Sequence, residues 1–280
     1  MVPGRDLSEA AAALLERVRK EQPLVHHVTN VVTAYEVASA TLATGALPVM
    51  AYAREEVEEV AASASALVLN LGTLTPERVE AMRAAGRRAN RRGIPVVLDP
   101  VGVGATQLRS QAAARLLAEL QVTAVRGNLA EMAHLAGRRG ILRGVESWRV
   151  DTPPEEVACE VTEAYGVVAA VTGARDWVAY GPRLVAVDNG HPLLRRIPGA
   201  GCMATAVVGC FLAVADDALV ATAAALAYFG YAAELAARQA RGPASFRVCL
   251  LDHLATLTPA ELRAGVRAEE VVDAPRRRGG

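Results

Sequence analysis

Residues 67–98 read LVLNLGTLTPERVEAMRAAGRRANRRGIPVVL, and this stretch decides the fold. Leu67–Leu71 is a short apolar run without polar alternation, the pattern of a strand covered on both faces. Thr75 then precedes Pro76 and Glu77. The hydroxyl can cap free amides, the proline needs no amide partner at the first helical position, and the acid suits the positive end of a helix. Helical spacing runs to Arg92, and Gly93 stops it. Pro95–Leu98 is a second apolar strand. Strand, helix and strand in this order make a parallel pair joined by a crossover.

The same rhythm extends in both directions. The sequence predicts strands at Leu24–Val28, Leu47–Tyr52 and Val122–Val125, with helices at Val31–Thr44, Glu55–Ser63, Leu108–Leu120 and Leu129–Ala136. Short strands follow at Val167–Val171, Asp176–Tyr180 and Leu184–Asp188, separated by glycine-containing turns. From Gly199 to about Arg267 the pattern is almost wholly helical. No linker rich in Pro, Gly or Ser and no internal repeat divides the chain. The expectation is an α/β protein: a single three-layer αβα domain over residues 1–267, with a mostly parallel central sheet covered by helices on both faces. Residues 268–280, with the run Arg276-Arg277-Arg278, are expected to be a disordered tail.

Composition narrows the chemistry. Hydrophobic residues make up 52% and aromatics only 4%, so Ala, Val and Leu must fill the core. The charge balances at 30 basic and 30 acidic residues, which points to no nucleic-acid partner. Lys20 is the only lysine, and it falls in a helical pattern. A Walker A loop and a protein-kinase strand lysine are therefore excluded, and Lys20 is an unpromising Schiff-base residue. Any bound phosphate must be held by backbone amides, arginine and a metal. Cys159, Cys202, Cys210 and Cys249 form no Cys-x-x-Cys pair, and with no signal peptide a reducing cytoplasm is expected. Ile197 to Ala215 carries no charge, but Pro198, Gly199 and Gly201 break its start and Asp216-Asp217 ends it. Together with the Ala-rich run Ala218–Ala233 it reads as two buried helices, with no membrane partner.

In an open α/β sheet, ligands bind beyond the carboxyl ends of the strands. Asp99 stands there, before Pro100-Val101-Gly102-Val103-Gly104. It can hold magnesium through water, or it can simply shape a turn before proline. Arg126-Gly127-Asn128-Leu129-Ala130-Glu131 follows the next strand. Asn128 and Glu131 fit a capping box that needs no function, and equally a pair that orders metal-bound water, with Arg126 as a cation for phosphate. Thr172 ends a strand before Gly173, where its hydroxyl could meet a nucleotide phosphate. The strongest element is Gly199-Ala200-Gly201-Cys202, glycines opening a long apolar helix. Its first amides lack helical partners and the helix dipole favours an anion, so it can hold a transferring phosphoryl group. Cys202 sits at that positive end, where a thiol pKa is expected to fall and a thiolate could take a proton from an attacking hydroxyl. His26 and His27 are adjacent on a strand and point to opposite faces; they are given no catalytic role, nor are His134, His191 and His253.

These motifs together resemble the ribokinase-like superfamily: Asn128 to Glu131 as its Asn-x-x-Glu motif, and Gly199-Ala200-Gly201-Cys202 as its anion hole. Cysteine at the fourth position, in place of the usual Asp, is similar to the hydroxyethylthiazole kinase family. So are Val28-Thr29-Asn30, Gly45-Ala46-Leu47-Pro48-Val49-Met50, Asn70-Leu71-Gly72-Thr73, Asp99-Pro100-Val101-Gly102 and Asn189-Gly190-His191-Pro192. The resemblance runs from about Pro23 to Leu254. It implies phosphorylation of the hydroxyl of 5-(2-hydroxyethyl)-4-methylthiazole by ATP with Mg2+, in thiamine salvage. It further implies that Arg126 and Thr172 contact ATP, Met50 and Gly199 the small-molecule alcohol, and Asp99 and Glu131 the metal and phosphates. Cys202 would take the catalytic position, and the enzyme would be a homotrimer. Two departures stand out: Tyr35 and Glu36 fall where the family has an Asn-rich helix start, and Ala200 where Thr is common. Other readings are a kinase for hydroxymethylpyrimidine or pyridoxal, an ATP- or ADP-dependent NAD(P)H-hydrate dehydratase, and a non-catalytic nucleotide-binding module.

Overall fold

The computed structural model describes residues 7–138 and 152–271. The apolar runs become strands β1 (Leu24–Val28), β2 (Leu47–Val49), β3 (Ala66–Asn70), β4 (Val96–Asp99), β5 (Ala124–Asn128), β6 (Val168–Thr172), β7 (Asp176–Tyr180), β8 (Arg183–Val187) and β9 (Ala268–Val271). Among the described residues they form one sheet in the order β2-β1-β3-β4-β5-β6-β7-β8-β9. The pairs from β2 through β6 are parallel, and those from β6 through β9 are antiparallel.

The helices divide between the two faces. On one side lie α1 (Leu7–Glu21), α2 (Ala34–Thr44), α8 (Ala200–Leu212), α9 (Ala218–Gln239), α10 (Pro243–Thr256) and α11 (Pro259–Gly265). On the other lie α3 (Val57–Ser63), α4 (Pro76–Arg92), α5 (Gln107–Glu119), α6 (Leu129–Leu135) and α7 (Pro154–Tyr165). Strand alternation feeds both cores: Val68 and Val97 pack with Phe211 and Tyr228, whereas Leu67, Leu69 and Leu98 pack with Met82 and Leu116. The architecture is thus the expected three-layer α/β domain. Thr75 caps α4 by accepting from the Arg78 amide, and Gly93 closes it in the left-handed conformation. α9 is long and apolar enough to cross a membrane by length and composition, but 78% of its apolar window is buried within the protein.

Three expectations change. The tail does not begin at residue 268, because Ala268–Val271 is an edge strand paired to β8; residues 272–280, with the Arg276-Arg277-Arg278 run, lie outside the described residues. β2 ends at Val49 rather than Tyr52. The helix after β1 begins at Ala34, because Asn30 Oδ1 accepts the Val32 and Thr33 amides and turns the chain first. Helix α7 was not legible from the sequence, although Pro153, Pro154 and Glu155 mark its start.

Asn189 joins the last elements. Its amide nitrogen donates to Gly265 O (2.9 Å) and Glu234 Oε1 (3.1 Å), and its oxygen accepts the Arg267 amide (2.7 Å). The side chain is buried and its partners lie at the edge of the core, so truncation would remove three hydrogen bonds from this junction. Asn189→Ala is expected to destabilise the fold by about 2–4 kcal/mol, read as a lower urea midpoint with an unchanged slope. A midpoint equal to wild type would show that the junction contributes nothing.

Candidate active site

The parallel strands deliver a row of polar side chains to one edge. Asn70 ends β3 and pairs in register with Asp99 at the end of β4, and Asn128 ends β5 opposite Thr172 of β6. Asn30 lies two residues beyond β1. Helix α8 starts over this edge. Its cap, Gly199, has φ 78°, and a Cβ there would lie 2.7 Å from Thr33 Cγ2, so both conformation and space demand glycine.

A buried hydrogen-bond ladder links these ends. Asn30 Nδ2 donates to Thr33 Oγ1 (2.8 Å) and Asn70 Oδ1 (3.0 Å). Asn70 Nδ2 donates to Asp99 Oδ2 (2.8 Å), and Thr205 of α8 donates to the same oxygen (2.9 Å). Cys202 Sγ lies 3.3 Å from Asn70 Nδ2 and 3.5 Å from Asn30 Nδ2. Cys202 and Asp99 therefore converge at the start of α8, as the sequence suggested. The thiol, however, is not activated in the way expected. Burial pushes its pKa up, the Asp99 charge adds to that, and hydrogen bonds from Thr33 and Asn70 offset it only in part. The low-pKa expectation for Cys202 is thus corrected: burial and the Asp99 charge push the thiol up.

The second group lies on β5 and β6. Glu131 closes the capping box with Asn128, accepting the Asn128 amide on Oε2 (3.0 Å), and its Oε1 accepts the Gly102 amide (2.9 Å). The structural and functional readings of this motif are therefore compatible, since one carboxylate caps α6 and holds the loop after Asp99. Arg126 Nη2 donates to Thr172 Oγ1 (2.7 Å), and Thr172 donates on to Gly127 O (3.1 Å). A Cβ on Gly201 would lie 2.7 Å from Arg126 Nη1, which sets the guanidinium against the start of α8. Met50 lies in the segment just past β2, apart from this hydrogen-bonded group.

Electrostatics follow from burial. Asp99 is pushed up by desolvation, with Arg126, Thr205 and Asn70 opposing. Glu131 is pushed up by desolvation and then by Asp99. Asp176, which the sequence reading passed over, accepts the Gly173 amide at 2.8 Å, and burial pushes its carboxyl up to about 6 against the pull of Arg126. Two buried acids that repel one another fit a magnesium ion, because a cation near them removes a cost that the protein alone carries. Both Glu131 oxygens already accept backbone amides, so contact through water suits this pair. Among the described residues, no group of three His, Cys, Asp or Glu side chains could enclose a metal.

Asn30, Asn70, Thr33 and Thr205 were not given roles by sequence reasoning. Asn30 and Asn70 stood within quoted motifs, but their pairing spans 40 residues and becomes visible only in the sheet. Thr205 stands three residues beyond Cys202, on the face of α8 turned to Asp99.

A mostly parallel sheet with a glycine-capped helix start across its strand ends is the ribokinase-like fold of small-molecule kinases. The family model described as hydroxyethylthiazole kinase family matches residues 15–260. A hydroxyethylthiazole kinase of Rubrobacter xylanophilus is 55% identical over 260 residues, covering 92% of this chain and 97% of the relative. One from Desulforudis audaxviator is 53% identical, covering 93% and 95%. The solved hydroxyethylthiazole kinase of Pyrococcus horikoshii superposes with a TM-score of 0.85 at 39% identity, covering 93% of this chain and 98% of that one. The chain belongs to the hydroxyethylthiazole kinase family.

Asp99→Asn separates function from stability. At neutral pH the buried carboxylate costs stability because its folded pKa lies above the unfolded value. The variant is expected to melt above wild type near pH 8, with the gain shrinking as pH falls through the raised folded pKa. Its kcat/KM should fall about 100-fold or more. A lower melting temperature at pH 8 would refute the electrostatic account.

Proposed function

We propose that this kinase transfers the γ-phosphoryl group of ATP to the hydroxyl of 5-(2-hydroxyethyl)-4-methylthiazole, giving the thiazole phosphate and ADP. The observation that carries the reading is the convergence of Cys202, Asp99 and Arg126 on the glycine-capped start of α8. Identities of 53–55% to thiazole kinases over nearly the whole chain support the substrate.

Arg126 and Thr172 would bind the ATP phosphates, with the Gly173 amide oriented by Asp176 beside them. Mg2+, when bound with ATP, would shield phosphate charge near Asp99 and Glu131 through water. The amides of Gly199-Ala200-Gly201-Cys202 would receive the moving phosphoryl group, where helix-start donors act without reorganisation. Gly199 and Met50 would contact the thiazole. Because its pKa is raised, Cys202 rests as the protonated thiol, and it would act as base only through its minor thiolate form, which would take the hydroxyl proton as the new O–P bond forms. Positioning and charge stabilisation then supply most of the rate.

A coupled ADP-release assay tests substrate and base together. The thiazole alcohol should give the highest kcat/KM, above hydroxymethylpyrimidine and pyridoxal. Cys202→Ala should lose about 10- to 100-fold in kcat, and Cys202→Asp should keep turnover. Release with another alcohol but not the thiazole would overturn the substrate, and full activity in Cys202→Ala would remove the base. Breakdown of hydrated NAD(P)H without a phosphorylated alcohol would favour the dehydratase reading.

We also propose a cytoplasmic homotrimer. Val31, Val32 and Tyr35, at 61%, 66% and 75% exposure, put apolar surface beside Gly199, where a neighbouring subunit would cover it. Sedimentation at micromolar concentration should give three times the chain mass, and Val32→Glu should lower it. A wild-type monomer would contradict the proposal.

A further inference from the structure

His26 is wholly buried in β1 and takes no part in the chemistry above. Its Nε2 lies 2.6 Å from the carbonyl oxygen of Ala51. A carbonyl only accepts, so Nε2 carries the proton and Nδ1 is bare; Nδ1 has no partner. This arrangement fits neutral imidazole, and burial holds the pKa of His26 down.

The bond has a backbone cause. β2 pairs with β1 only from Leu47 to Val49, the last rung being His26 with Val49. Beyond Val49 the chain leaves the ladder, yet Ala51 stays 3% exposed. A buried carbonyl outside a ladder needs another donor. His26 reaches past the end of the edge strand and supplies it. The next residue is held from the other direction. The Arg78 guanidinium sits 4.6 Å from the Tyr52 ring centre, and Arg78 Nη1 donates to Thr29 O at 2.8 Å. Met50 thus lies immediately before two tethers, both rooted in β1 or its exit. The same strand carries Asn30 into the ladder beside Cys202.

We infer that His26 is a positioning residue for the alcohol side of the site: it fixes the Met50–Tyr52 segment to β1, and so to the phosphate side, through the Ala51 carbonyl. The inference rests on the reading that Met50 contacts the alcohol. His26 touches neither substrate nor reacting atoms. It sets where the alcohol wall stands relative to the glycine-capped helix start. Its neighbour His27 serves the opposite layer, with Nε2 3.1 Å from Thr41 Oγ1 on α2.

The test compares His26→Leu, which removes the donor, with His26→Gln, whose side-chain amide can still donate. Steady-state kinetics and hydrogen exchange of the 50–56 segment are measured on the full chain. His26→Leu should raise KM for the thiazole alcohol about tenfold, leave KM for ATP within about twofold, and speed exchange in the segment. His26→Gln should stay within about threefold of wild type on all three. A folded His26→Leu protein with unchanged alcohol KM and unchanged exchange would overturn the inference. So would equal rises in both KM values, which mark general loosening. If His26→Leu does not fold, His26→Asn takes its place with the same expectations, because its amide stops short of Ala51. Wild-type protein without turnover on the thiazole would sink the proposed function, and exchange alone would then decide the tether.

Discussion

One buried chain of hydrogen bonds holds the site together: Asn30 to Asn70 to Asp99, closed by Thr205 from α8. It crosses the exits of β1, β3 and β4 and ends on the helix whose start faces them. Each member is buried, so each unmade bond would cost more than an average bond contributes. The chain of bonds therefore fixes the relative height of three strands and one helix. Asp99 is the costliest link, since burial works against its charge.

Small side chains make this geometry possible. Helices α8 and α9 are built largely from Ala, Val and Gly, and Gly209 lies so close to the sheet that a Cβ would sit 2.6 Å from Val68 Cγ2. Close packing brings the start of α8 down onto the strand ends. The low aromatic content is thus not a weakness of the core. It lets two apolar helices approach a twisted sheet without bulky residues holding them away.

Much of this was legible in sequence, and the limits have physical causes. Most parallel strands showed as short apolar runs without polar alternation, and Thr75-Pro76 and Gly93 bounded α4 as local chemistry demands. Gly199 and Cys202 stood out because a helix start is a local feature. The Asn30–Asn70 pair did not, because sheet order sets it and two asparagines 40 residues apart carry no spacing signal. The Cys202 thiol was misjudged because helix polarity is written in the sequence, whereas desolvation is set by what packs around the sulfur. β2 was read too long since Met50-Ala51-Tyr52 is apolar; its departure from the ladder is compensated by a histidine far upstream.

The last strand carries a consequence of its own. Without β9, β8 would offer a bare row of amides and carbonyls along an apolar surface, an invitation to pair with another chain. β9 covers that row and then presents an edge of a different kind. Glu269 and Glu270 lie along it, paired with Arg175 and Arg183 of the neighbouring hairpin. A tenth strand docking there would have to part these ions from their partners or bury them. Four residues that read as the beginning of a tail thus close this end of the sheet among the described residues and guard this edge against a further strand.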